Sequence, residues 1–504
     1  MRLEDWKKLQ NGSDIRGVAL AGMAKEKVNL TAEVAEILGR SFAAWLVEKG
    51  FEKPKVAIGT DSRITGPMLK KAFILGLTAL GADVADCGLA STPAMFMACI
   101  NDELNVDGAV MLTASHLPFN RNGMKFFTNR GGFDEQDIND LLNIAFTGSF
   151  KESGKSGRLD EIDFISDYAA MLVNNIRAGV NDPERYEQPL AGLRIIVDAG
   201  NGAGGFFADK VLVPLGADIE GSQFLEPDGN FPNHVPNPED KEAMDSVSAA
   251  VKRAGADLGI IFDTDVDRAA VVDANGKPVS RNELIALIST VILDEHPGSV
   301  IVTDSITSSG LKWFIEEELG GVHHRFKRGY KNVINEAIRL NQEGKESWLA
   351  IETSGHAALK ENHFLDDGAY LVAKLLIKMA QLRNENRSLT NLIERMPVPA
   401  ESREFRLPLT GEDFRDYGNK IITALREMAE KEDGWSVEKP NYEGIRVRCG
   451  KASENGWFLL RLSLHDPLMP LNIESDVKGG VNAIVSRLGQ LLNEFEYLDT
   501  SSLL

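Results

Sequence analysis

The 504-residue sequence predicts a multidomain α/β protein, with three related mixed α/β units followed by a smaller α+β unit. Three observations carry this. The chain is too long for a single hydrophobic core. A pattern recurs in which a short β-branched run ends in an aspartate and turn residues and then passes into helical periodicity, as in VAIGTDSR at 56–63, RIIVDAGNGAGG at 194–205 and SVIVTDSITSSG at 299–310. The last stretch instead places the alternating segments REFRLPL and WFLLRLSL around an amphipathic helix, DFRDYGNKIITALREMAEK.

Each element follows from simple rules. Near-continuous apolar runs suit sheet strands covered on both faces, and the glycines and serines after them allow tight turns into the next helix. Proline- and charge-rich joints at NDPERYEQPL (181–190), DEHPG (294–298) and MPVPAESRE (396–404) set domain limits at 1–187, 188–296, 297–399 and 400–504.

Composition narrows the function. Lys and Arg number 55 against 75 Asp and Glu, a formal charge of -20, which repels phosphate backbones and argues against nucleic acid or an anionic membrane as partner. A phosphorylated small molecule must therefore find a local cationic pocket. Cys87, Cys99 and Cys449 form no CxxC, so buried thiols in a reducing compartment are expected rather than a zinc site or disulfides. The opening MRLEDWKKLQNGSD lacks the apolar core of a secretory signal, and no run suits a membrane span, so a soluble cytoplasmic protein is expected.

Three loops carry chemistry-bearing residues. In FDTDVDRAAVVD (262–273), Asp263, Asp265 and Asp267 follow an apolar strand and precede Arg268; carboxylates so close repel one another unless a cation sits among them. Oxygen-only ligands suit a hard ion such as magnesium, with a phosphate oxygen completing the shell. An EF-hand is excluded, because Arg268 and Ala274 stand where its glycine and glutamate belong.

In MLTASHLPFNRNGMKFF (111–127), a strand delivers Thr113, Ser115 and His116 into a loop with Lys125. No GxSxG elbow surrounds Ser115, so either a phosphoryl carrier or a plain capping hydroxyl fits it. In LAIETSGHAALKEN (349–362), Glu352 and Ser354 are spaced to hold vicinal hydroxyls from one side of an extended chain, a spacing that ordinary strand ends share. SDIRG (13–17), TDSRITGP (60–67) and KRGYK (327–331) add cations beside turns.

Taken together, these residues resemble the α-D-phosphohexomutase superfamily: TASHLPFNRNGMKFF looks like its phosphoserine loop, DTDVDR like its metal loop and ETSGH like its sugar loop. LASTPA (89–94), DAGNGAG (198–204) and PDGNFPNHVPNPE (227–239) fall in the same order. The resemblance implies a four-domain architecture around a central cleft. It implies that Ser115 bears the phosphoryl group, that Asp263, Asp265 and Asp267 with Ser115 hold Mg²⁺, and that Arg268 contacts the same phosphate. Arg16, His116, Lys125 and His356 would serve acid, base or charge-neutralising roles. Arg63, Gly329, Tyr330, Glu352 and Ser354 would contact substrate, and Arg461, Ser463 and His465 would hold the phosphate that is not transferred.

The sequence also departs from the family. The usual RPSGTEP loop reads RLSLHDPLMPLN at 461–472, Leu117 and Ile351 replace an asparagine and a glycine, and Thr353 fills a variable position. The expected activity is reversible phosphoryl transfer between the 1- and 6-positions of a glucose or mannose phosphate through a hexose 1,6-bisphosphate. The alternatives are a glucose 1,6-bisphosphate synthase charged by a bisphosphate donor and a non-catalytic sugar-phosphate sensor. The preferred sugar, the phosphoryl donor and the oligomeric state stay open.

Overall fold

The computed structural model describes residues 2–22, 26–150, 154–383, 385, 387–411, 413–463 and 466–503. The chain forms two compact units, the first built from residues up to Ser280 plus Ser354–Asn391, the second from Arg281–Thr353 plus Leu392 onward.

In the first unit, strand Lys55–Thr60 lies between the parallel strands Asp83–Leu89 and Gly108–Leu112. All of GAVML at 108–112 is buried, as a sheet covered on both faces requires. Arg121–Thr128 adds antiparallel with Met111 opposite Lys125, and Asp14–Val18 follows with Arg16 opposite Gly123. This register gathers Arg16, Lys125 and the loop after Leu112 at one end of the sheet.

Helices Ala32–Glu48, Gly66–Ala79 and Glu135–Thr147 bury Leu38, Phe42, Phe73, Leu77 and Leu141 with Phe126 and Phe133. Each fully buried large side chain contributes roughly 1.5–3 kcal/mol. The first two helices cross closely at small residues: a Cβ on Gly76 would lie 2.0 Å from the Glu36 carbonyl oxygen. On the opposite face, helix Thr92–Ile100 starts at Ser91, whose side chain accepts from Ala94 N, with Pro93 in the first turn.

A second sheet pairs Ile195–Asp198 parallel with Leu258–Phe262, which forms a hairpin with Ala269–Asp273. Phe262 faces Ala269, so the aspartate-rich residues 263–268 are the hairpin's turn. The hairpin Ala357–Leu359/Leu365–Asp366 and helix Gly368–Arg383 complete this unit.

In the second unit, Val300–Thr303 runs parallel between Val322–Arg325 and Ser347–Ile351, repeating the strand-then-aspartate pattern at Asp304. The C-terminal part is an antiparallel sheet in the order Glu401–Pro408, Leu468–Ser475, Gly456–Leu460, Ile445–Cys449, Trp435–Val437. Helices Phe414–Ala429 and Gly480–Leu492 cover one face, burying Leu407, Ile421, Leu425, Phe458, Leu471 and Leu488. By strand alternation Arg446, Trp457 and Leu459 fall on the other face, where Trp457 and Leu459 cluster with Ile306. The segment REFRLPL and the start of WFLLRLSL are strands here, and the end of the atypical 461–472 stretch enters the long strand Leu468–Ser475.

Three related α/β parts and a C-terminal antiparallel sheet thus match the predicted fold class. The three cysteines are buried and free. No helix among the described residues is long and apolar enough to cross a membrane.

The tight helix crossing sets the first expectation. Gly76→Val should destabilise the protein by about 1–3 kcal/mol through overpacking, seen as a lower thermal-unfolding midpoint in calorimetry; an unchanged midpoint would show that the crossing can relax.

Candidate active site

The site in the first unit is built on Ser115. The chain leaves strand Gly108–Leu112, and Ser115 adopts φ 49, a left-handed conformation uncommon outside glycine. Two contacts hold it there. Ser115 N donates to Thr113 Oγ1 at 2.9 Å, and the Arg63 guanidinium donates to the carbonyls of Ser115, Leu117 (2.6 Å), Pro118 (2.8 Å) and Arg121 (3.0 Å).

Arg63, expected to contact substrate, is 1% exposed, faces Asp61 at 3.3 Å and gives Nη1 and Nη2 to backbone carbonyls, so it anchors the loop. Arg16 is placed similarly, donating to the Thr113 carbonyl at 2.8 Å and to Asp14 at 2.9 Å.

The strained turn aims Ser115 Oγ at the aspartate hairpin. Oγ donates to Asp263 Oδ2 at 2.9 Å and receives Arg268 Nη2 at 3.1 Å. Arg268 also donates through Nε to Asp263 at 3.1 Å, through Nη1 to Asn237 at 3.2 Å and through Nη2 to His116 Nδ1 at 2.6 Å. Because a guanidinium can only donate, His116 Nδ1 is an acceptor and the ring is neutral. Burial, then the Arg268 and Arg16 charges, push His116 down to about 3.

Asp263, Asp265 and Asp267 are fully or almost fully buried, with carboxylate oxygens within 4.8 Å of one another. Burial, then the charges of Asp267 and Asp265, push the Asp263 carboxyl well above the usual range. Against burial, Lys125, His356 and Arg268 hold Asp267 low. Lys125 Nζ contacts Asp265 at 3.1 Å and also Asp267, while Thr92 Oγ1 donates to Asp265 at 2.5 Å.

One oxygen each of Asp265 and Asp267 is buried without a hydrogen-bond partner among the described residues. Buried carboxylate oxygens left over in a cluster of three charges suit a cation, so the triad could bind a metal ion.

His356 forms a β-bridge with Arg268, and its Nε2 lies 3.7 Å from both Asp267 and Asp366, while Nδ1 meets Ser354 Oγ at 2.9 Å. Ser115, His116, Lys125, Arg16, Arg268, His356, Ser354 and the triad are therefore gathered in one unit. The contributions of Thr92 and Asn237 escape a reading of the sequence by residue type. Their only signals are the LASTPA and VPNPE segments in which they sit.

In the second unit, Glu352 accepts from Gly329 N at 2.6 Å, and Gly329 takes φ 114 just before the helix that begins at Tyr330. Thr353 donates to Asp304 at 2.7 Å. Arg461 is 8% exposed with its Nε unpaired among the described residues; burial lowers its pKa, Glu443 opposes that, and Arg328 adds to it. Ser463 Oγ accepts from Asp466 N at 3.3 Å. His465 and its neighbour Leu464 lie outside the described residues.

A hydroxyl hydrogen-bonded to a guanidinium beside a buried carboxylate triad, on α/β domains, suits an enzyme of phosphoryl transfer. The descriptions "Phosphoglucomutase/phosphomannomutase, alpha/beta/alpha domain I", II and III match residues 7–152, 166–276 and 280–398. The phosphomannomutase/phosphoglucomutase of Pseudomonas putida is 32% identical over 92% of this chain and 90% of its own. The phosphoglucomutase of Neisseria gonorrhoeae is 31% identical over 96% of each. The crystal structure of a phosphoglucomutase/phosphomannomutase family protein from Burkholderia thailandensis superposes with a TM-score of 0.78 at 28% identity, covering 98% of both chains. This chain belongs to the phosphoglucomutase/phosphomannomutase family of the α-D-phosphohexomutase superfamily, and it is a mutase.

Asp265→Asn removes a full charge from the triad, and Mg²⁺ affinity measured calorimetrically should fall by about a hundredfold or more. Unchanged affinity would place the ion elsewhere.

Proposed function

We propose that this mutase interconverts the 1- and 6-phosphates of glucose or mannose through phospho-Ser115. The observation that carries the proposal is the single hydroxyl, Ser115 Oγ, within hydrogen-bond distance of both Asp263 and Arg268.

In the first half-reaction the Ser–O–P bond breaks as a sugar hydroxyl oxygen bonds phosphorus, and the hydroxyl proton leaves to a nearby base. Among this chain's own groups, Arg268 neutralises the transferring oxygens and Lys125 balances Asp265 and Asp267. His356, 3.7 Å from both Asp267 and Asp366, is a neutral ring placed to accept or donate the proton. The resulting hexose 1,6-bisphosphate turns over, and its other phosphoryl group returns to Ser115 Oγ with the proton moved back. Asp263, Asp265 and Asp267 would hold Mg²⁺, which when bound supplies positive charge to the transferring phosphoryl group.

In the second unit we assign Glu352, Gly329 and Tyr330 to the sugar, and Arg461 and Ser463 to the phosphate that is not being transferred. Hexose 1,6-bisphosphate serves as the donor that charges Ser115. A cytoplasmic setting and division into domains at 187, 296 and 399 accompany this reading.

The test is ³¹P NMR of glucose 1-phosphate or mannose 1-phosphate with enzyme, Mg²⁺ and catalytic hexose 1,6-bisphosphate. Conversion to the 6-phosphate is expected; accumulation of bisphosphate without isomer would mean a bisphosphate synthase, and neither would mean a binder. Ser115→Ala should abolish conversion while keeping the wild-type thermal midpoint, because an exchanged loop hydroxyl costs little stability but has no substitute as carrier; turnover near wild type would remove Ser115 from the mechanism. Arg461→Ala should raise KM for the hexose phosphate with a smaller effect on kcat, since it binds a group that does not react, and an unchanged KM would place the second phosphate on other residues.

A further inference from the structure

The second unit contains a recess of about 80 Å³ where the uncovered face of the antiparallel sheet meets the α/β part. Neither Arg461, Ser463 nor the Gly329–Tyr330 loop lines it. Its floor is Arg446, on strand Ile445–Cys449 and only 3% exposed. The guanidinium stacks 3.4 Å above the Trp457 ring, Nη1 donates to the Ser305 carbonyl at 3.0 Å, and Nε lies 3.1 Å from Glu438. Nη2 is buried without a hydrogen-bond partner among the described residues.

The charge around it does not balance. Arg325 also lines the recess and shares Glu438 with Arg446 at 3.4 Å, while Lys312, 3.9 Å from Glu316, and Lys439 stand exposed at the rim. The other nearby acid, Glu474, accepts from Trp457 Nε1 at 2.9 Å and is pushed up by burial to about 7. Burial, then the Arg325 charge, brings Arg446 down to about 9. A buried guanidinium with an unmet donor and too few counter-charges is stabilised by an incoming anion.

Size limits what can enter. The recess is well below the few hundred Å³ of sites that enclose whole metabolites, so a hexose phosphate does not fit.

We propose that this recess binds a small free oxyanion of phosphate size, held by the positive charge of Arg446 and Arg325, with Lys312 and Lys439 guiding it in. The site is separate from Arg461 and Ser463 and does not depend on the proposed sugar specificity.

The experiment titrates inorganic phosphate calorimetrically into the full-length protein carrying Arg461→Ala, without Mg²⁺, and repeats it with Arg446→Gln or Lys439→Gln added. One site is expected, weakened about tenfold or more by Arg446→Gln and less by Lys439→Gln. The exposed Lys439 keeps the test valid if Arg446→Gln fails to fold. In crystals soaked with selenate, the anomalous selenium peak is expected within hydrogen-bond reach of Arg446. Phosphate binding unaffected by the substitutions, or selenium peaks only elsewhere, would overturn the proposal.

Discussion

Three carboxylates in one buried hairpin turn are the constraint on which the first unit depends. Asp263, Asp265 and Asp267 are too close and too dry to be ionised together without cations. The chain answers with Lys125 from the first sheet and Arg268 from the hairpin itself, while His356, held well below its ordinary value by burial, borders Asp267 as a neutral ring. Because Lys125 and Arg268 come from segments far apart in sequence, charge balance at the hairpin also ties the segment that carries Ser115 and Lys125 to it. The remaining unpaired oxygens of Asp265 and Asp267 point to a metal ion as the last part of that balance.

The same economy explains Ser115. A nucleophile in a left-handed conformation needs external support, and Arg63 supplies it from a strand-end turn more than fifty residues earlier. The loop therefore presents its hydroxyl to Asp263 and Arg268 without relying on a ligand for its shape. Catalysis by positioning and electrostatics requires such preorganisation, since phosphoryl transfer leaves the protein little covalent chemistry to perform.

Most candidate site residues were legible in the sequence because they fall in short loops: 113–125, 263–268 and 352–356. The repeated strand-then-aspartate pattern also gave the three α/β parts, since buried parallel strands leave a continuous apolar signature. What was not legible has a common cause. The resemblance implies a substrate contact for Arg63, but the backbone carbonyls it meets leave no trace in residue type. The partners of Thr92, Arg325 and Arg446 leave no trace in residue type either, although all three are mostly buried against specific groups. In the C-terminal part, the strand Leu468–Ser475 was obscured by Pro470, which pairs with Arg406 in the antiparallel ladder.

The central claim is that Ser115 carries the phosphoryl group beside the aspartate hairpin, and it is tested most directly by mapping phosphorylation after incubation with glucose 1,6-bisphosphate and Mg²⁺. Intact-mass and peptide analysis should show one phosphoryl group per chain, on Ser115, and its loss when glucose 1-phosphate is added. Phosphorylation confined to another residue, or a Ser115 phosphate that persists unchanged in the presence of the sugar phosphate, would contradict the account.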